Sequence, residues 1–151
     1  MGLAEAAMAA FALLVVGGAL RAFLRRAGRP ESVAQRGDAE RLCALLAAEP
    51  DLVKRRFAGG FTLLHRAGSR DVAALLFARG ADVEARTDDG WTPLHLAALH
   101  NNGPLAEQLL ARGAKADARD KEGRTPLDLA GGSEPVSGIL EEAGGGAGKG
   151  A

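Results

Sequence analysis

The chain has 151 residues, 47% of them apolar and 4% aromatic with no Tyr, and it carries 19 basic and 19 acidic side chains. That length bounds it to one domain, and such a composition builds its core from Leu, Ala and Val, as close helix packing requires. The balance of charge is uneven: residues 1–30 carry four Arg and one Glu, whereas residues 31–151 carry 15 basic and 18 acidic residues, so the body lacks the basic face of a nucleic-acid binder, and a single Cys excludes an internal disulfide or a Cys-rich metal site.

The first segment is Ala6 to Leu20, 15 residues without a charge, followed by Arg21, Arg25, Arg26 and Arg29. A helix of that length spans about 22 Å, short of the roughly 30 Å hydrocarbon core. Counting from Gly2 to Leu24 gives enough length if Glu5 and Arg21 lie at the interfaces and snorkel. Phe11, Leu13, Leu14, Val15, Val16 and Leu20 together favour insertion by roughly 2–4 kcal/mol. A membrane anchor is the favoured reading of residues 1–30. A signal peptide fits less well, because its positive charge should precede the apolar run. A soluble amphipathic or packing helix lacks a polar face opposite Phe11 to Val16. As an anchor, the Arg cluster stays cytoplasmic and so do the residues after it. Myristoylation is disfavoured by Ala6 at the sixth position.

From Glu31 to Leu52, Gly37-Asp38 breaks or caps a pair of helices and Glu49-Pro50-Asp51 ends the second. Cys43 lies in the helical run Arg41–Ala48, where a buried structural thiol is expected. Beyond this the chain repeats itself. Gly60-Phe61-Thr62-Leu63-Leu64-His65 leads into Leu75-Leu76 and Gly80-Ala81-Asp82. Gly90-Trp91-Thr92-Pro93-Leu94-His95-Leu96-Ala97-Ala98 leads into Leu109-Leu110 and Gly113. Gly123-Arg124-Thr125-Pro126-Leu127-Asp128 leads into Ile139-Leu140. The leading glycines at 60, 90 and 123 set periods of 30 and 33 residues, the mark of a stacked array.

Each copy reads physically in the same way. The leading Gly suits a turn with positive φ. The Thr two residues later caps a helix with its hydroxyl, and Pro93 and Pro126 stand at the first helical position, where the missing N–H costs nothing. A short helix such as Pro93–Leu99 then turns Leu94, Ala97 and Ala98 inward. Asn101-Asn102-Gly103-Pro104 breaks it, and a second helix, about Leu105–Arg112, carries Leu105, Leu109 and Leu110 on one face. Gly113 closes that helix. The first copy departs in having Leu63 in place of Pro and three fewer residues between its helices. The third has Asp128 in place of His, a second helix reached through Gly131-Gly132-Ser133-Glu134-Pro135, and Glu134–Ala143 as the closing helix.

Thr-Pro-Leu-His, then Leu-Leu about 15 residues on, then Gly-Ala-Asp, resembles the ankyrin repeat family. The resemblance covers roughly residues 32–143 and implies an all-α fold: an ankyrin-type helix-turn-helix solenoid of about three repeats (60–89, 90–122 and 123–143) behind an eroded N-terminal capping repeat (31–59), within an ankyrin repeat domain at 31–143. It says nothing of the N-terminal hydrophobic helix in residues 1–30 or the Gly-rich tail at 144–151. The tail fails as a phosphate loop, since no Ser or Thr follows Lys149 and residue 143 is Ala.

No catalytic constellation stands out, and no cofactor, metal, nucleic acid or small-molecule substrate is expected. His65, His95 and Asp128 occupy equivalent positions and could form a metal row, but no Cys completes a ligand set, and in the family this His bonds backbone between helices. The residue after each turn Gly forms the other row: Phe61, Trp91 and Arg124, residue types favoured at binding hot spots. The resemblance implies that turn tips and the exposed end of each first helix meet a protein partner. On this chain that surface is Phe61, Ser69 and Arg70, then Asp88, Asp89, Trp91, Leu99 and His100, then Lys121, Glu122 and Arg124. The alternative for the row is packing against neighbouring turns. The expected function is non-catalytic protein recognition at the cytoplasmic side of a membrane. The alternatives are a soluble adaptor or inhibitor whose N-terminal helix caps the solenoid, and the regulatory subunit of an enzyme.

Overall fold

The structure, a computed structural model, describes residues 28–144. The anchor expected in residues 1–30 lies almost wholly outside them, and among the described residues no helix is long and apolar enough to cross a membrane. Among the described residues seven α-helices follow one another: α1 Pro30–Gln35, α2 Ala39–Ala48, α3 Arg70–Ala78, α4 Pro93–Leu99, α5 Gly103–Ala111, α6 Pro126–Ala130 and α7 Val136–Glu142. Single 3₁₀ turns at Pro50–Val53, Ala58–Gly60 and Leu64–Arg66 complete the front half.

These elements form two rows. The short inner elements α1, Leu64–Arg66, α4 and α6 pack in sequence, and the longer outer helices α2, α3, α5 and α7 do the same behind them. Each pair has too little apolar surface to fold alone and buries it only on its neighbours. Leu42, Leu45 and Leu46 of α2, Val72 and Leu76 of α3, Leu94 and Ala97 of α4, Leu105 and Leu109 of α5, and Leu140 of α7 join in one continuous core. The small Ala34, Ala73, Ala98 and Ala106, each at most 1% exposed, let the helices approach closely.

Local chemistry sets the boundaries. Asp38 accepts from Arg41 N–H at the start of α2, Ser69 from Val72 N–H at the start of α3, and Asn102 from Leu105 N–H at the start of α5. Pro93 and Pro126 open α4 and α6. After α5 the left-handed Gly113 lets Ala114 N–H reach Leu109 O, closing the helix end. The helix expected over Pro93–Leu99 has those bounds, with Leu94, Ala97 and Ala98 all buried.

Two expectations change. In the first copy the inner helix shrinks to the turn Leu64–Arg66, after which Ala67 is extended. Gly68 N–H then bonds Ala34 O at 2.9 Å, and α3 starts at once from Ser69. Leu63 lacks the proline that fixes φ at the head of α4 and α6, and the shorter link leaves no residues for a second turn. Cys43 is half-buried rather than buried, its sulfur 3.7 Å from Arg79 Nη2.

Candidate recognition edge and the links behind it

The leading glycines place three turn tips along one edge. Within each tip the same bonds recur: Phe57, Thr87 and Asp120 N–H donate to the carbonyls of Phe61, Trp91 and Arg124, and Gly60, Gly90 and Gly123 N–H donate back to Phe57, Thr87 and Asp120. Adjacent tips are also stitched, by Asp88 N–H to Gly59 O at 2.9 Å and Lys121 N–H to Asp89 O at 3.0 Å. Gly60 and Gly90 are required twice over. Both have φ near +80°, and a Cβ would lie 2.7 Å from Asp88 N at one and 3.1 Å from Lys121 N at the other. No β-strand forms among the described residues.

Behind the tips lie the two histidines. His65 is 5% exposed and His95 fully buried. In each, Nδ1 accepts the N–H of the Thr three residues earlier, at 3.1 Å, with the Thr hydroxyl also within 2.9 Å. A ring nitrogen that accepts from a backbone N–H carries no proton, so Nε2 holds it. That Nε2–H donates to the next copy: His65 to Trp91 O at 3.0 Å, His95 to Arg124 O at 3.1 Å. Burial lowers the pKa of both imidazoles, against the opposing pull of those carbonyls, so both stay neutral. These rings therefore cap a helix and join two copies. Asp128 fills the third position and caps α6, its Oδ2 accepting Thr125 N–H at 2.8 Å and the Thr125 hydroxyl at 2.9 Å. Among the described residues no group of three or more His, Cys, Asp or Glu could hold a metal ion.

The structure brings Phe61, Trp91 and Arg124 onto one edge, each half-exposed. Each also has an internal contact. The Arg66 guanidinium lies 4.4 Å over the Phe61 ring, and the Arg124 guanidinium 5.8 Å over the Trp91 ring. Asp88, Asp89, Lys121 and Glu122 are exposed at the tips, with Asp88 paired to Arg56 at 3.0 Å and Glu122 to Arg124 at 2.8 Å. Leu99 (46% exposed) and His100 stand at the end of α4. Arg70 is exposed at the start of α3, whereas the Ser69 oxygen is committed to capping that helix.

Asp120 was missed by the sequence reading and organises the outer half of this edge. Its side chain is fully buried. One carboxylate oxygen accepts Glu122 N–H at 2.9 Å and Arg124 N–H at 2.8 Å; the other accepts Trp91 Nε1–H at 3.0 Å and Arg124 Nε–H at 2.9 Å. Burial alone would raise its pKa, but the Arg124 and Glu122 donors and the guanidinium charge hold it below the ordinary carboxylate value. A sequence signal existed. Asp120 stands three residues before Gly123, where Thr87 stands before Gly90, and the Thr87 hydroxyl accepts Trp91 N–H at 3.1 Å in the equivalent bond. A second pair was equally regular: Arg86 and Arg119, each four residues before the Gly, donate to Gly90 O and Gly123 O.

A family model described as ankyrin repeats, three copies, matches residues 64–144, more than half of the chain.

Proposed function

Because the chain belongs to the ankyrin repeat family, whose repeats form protein–protein interaction modules and are generally without catalysis, we propose that it works as a scaffold or adaptor, holding a partner along its turn tips while residues 1–30 tether it to a membrane. The observation that carries the recognition face is the in-line, half-exposed row of Phe61, Trp91 and Arg124, flanked by Asp88, Asp89, Lys121 and Glu122 on tips fixed by main-chain bonds. A pre-ordered edge loses little entropy on binding, and Trp and Arg are hot-spot residues.

Affinity capture with the full chain as bait tests the face. A Phe61→Ala, Trp91→Ala, Arg124→Ala variant is expected to lose the captured partner at least about tenfold. Trp91 and Arg124 also bond Asp120, so a second variant, Asp89→Lys with Lys121→Glu, changes only exposed tip side chains. Loss in both variants, with circular dichroism unchanged, supports the edge. Equal retention by both, or no specific partner on the parent chain, overturns it.

The tether rests on the uncharged run Ala6–Leu20 and the Arg residues after it, with the repeats on the cytoplasmic side. The full chain is expected to sediment with membranes through an alkaline carbonate wash and to be released by detergent, and deletion of residues 2–24 to leave it in the supernatant. Full-length chain recovered in the supernatant without detergent overturns the tether.

A further inference from the structure

The shortened first copy leaves a gap in the inner row. Between the end of α1 and the end of α4, where a second helical turn would stand, lies a cleft of about 420 Å³. Gln35 forms one wall. Gly68 forms part of the floor, held against α1 so tightly that a Cβ there would lie 1.9 Å from Gln35 O. Leu96, His100 and Asn102 form the opposite wall.

The lining has a definite sign. Its fixed charge is Arg66, and it includes no carboxylate, although residues 31–151 as a whole are acidic. Arg66 is oriented by its stack on Phe61, and its Nε is buried with no hydrogen-bond acceptor among the described residues. A buried guanidinium N–H without a partner is costly, and a carboxylate is its natural complement. His100 gives Nδ1–H to Leu96 O at 2.9 Å, so the Nε2 of the neutral ring is an acceptor and takes no part in holding a carboxylate. The Asn102 carbonyl oxygen is committed to Leu105 N–H, so the amide nitrogen is left as a donor. Beside His100 stands Leu99, the exposed large apolar side chain among the described residues.

We propose that this cleft is a subsite for an acidic segment of the protein partner, a Glu or Asp carboxylate received by Arg66 and Asn102 with a neighbouring apolar side chain of the same segment lying on Leu99. It rests on the protein-recognition reading but occupies a different surface from the turn tips, so either can fail alone. Partner capture sensitive to the tip variants but not to cleft variants leaves the first standing without the second.

The test uses the purified full chain and two fluorescent hexapeptides, one of alternating Leu and Glu and one of alternating Leu and Gln. Fluorescence polarisation is expected to show the Glu peptide bound at least about tenfold more tightly, within reach of about 1 mM peptide. Its addition is expected to shift the Arg66 Nε–H resonance. Arg66→Lys, which keeps charge but loses the fork, is expected to weaken binding about tenfold. Asn102→Asp is the variant that protects against a folding artefact: Asp caps α5 as well as Asn does, yet it places a like charge in the cleft and should weaken the Glu peptide at least about tenfold. Arg79→Gln, on α3's far end, should change nothing. Equal binding of the two peptides, an unmoved Arg66 Nε–H, or undiminished binding to Asn102→Asp would overturn the subsite.

Discussion

Replacing His95 with alanine is expected to destabilise the array by about 3 kcal/mol, the sum of a cavity left by a fully buried ring and of two backbone groups, Thr92 N–H and Arg124 O, stripped of their partner. For a body of this size that lowers Tm by roughly 10–20 °C. The position matters because stability in a stacked array is a sum of unit and interface terms, and His95 contributes to both: it caps α4 and ties the second copy to the third. The same substitution should change the response to acid. The His95 and His65 pKa values are lowered by burial in the folded chain, whereas the unfolded imidazole titrates near 6.5. Below that pH the unfolded state binds more protons than the folded state, so stability is complete above about pH 6.5 and is lost as pH falls towards the folded values. Urea titrations from pH 7.5 to 5 should show a steep loss in the parent chain and a shallower one in His95→Ala. Parallel curves, or a change in Tm of only a degree or two, would sink this account of the ring.

Asp120→Ala is expected to cost about 2–4 kcal/mol, because four N–H donors converge on that buried carboxylate and lose it together. The optical signature is specific. Trp91 is the single Trp of the chain, and Asp120 holds its indole N–H, so emission should move to longer wavelength before any unfolding. Asp120→Asn keeps one acceptor oxygen and should fall between the two. If emission and urea midpoint both stay where they are in Asp120→Ala, the carboxylate is not what orders the edge.

The regular parts of the molecule were legible because they are local. Gly60, Gly90 and Gly123, the caps at Thr92 and Thr125, Pro93 and the run to Leu99 each act within a few residues of themselves, and the structure has them as their chemistry implies. What escaped depends on partners distant in sequence. Asp120 lies in an Asp-rich stretch that reads as solvated turn, yet its carboxylate is buried and meets Trp91, 29 residues away. The form of the first copy was visible as a deficit of residues, but the cleft it opens depends on Gly68 docking on Ala34. Cys43 sits on a helix whose buried side is carried by Leu42, Leu45 and Leu46, one position away from full burial. On the candidate edge the residues were foreseen and their internal contacts were not: Phe61 supports Arg66, and Trp91 and Arg124 share Asp120.

The link from each histidine runs to a carbonyl, and every amino acid has one. His65 meets the carbonyl of a Trp and His95 the carbonyl of an Arg, at nearly the same distance. The seam between neighbouring units is thus indifferent to what hangs from the residue it grips. The histidine seam would thus survive an exchange of the side chains it grips, whereas the second tie at the outer edge, where Trp91 and Arg124 meet the buried Asp120, depends on which side chains stand there.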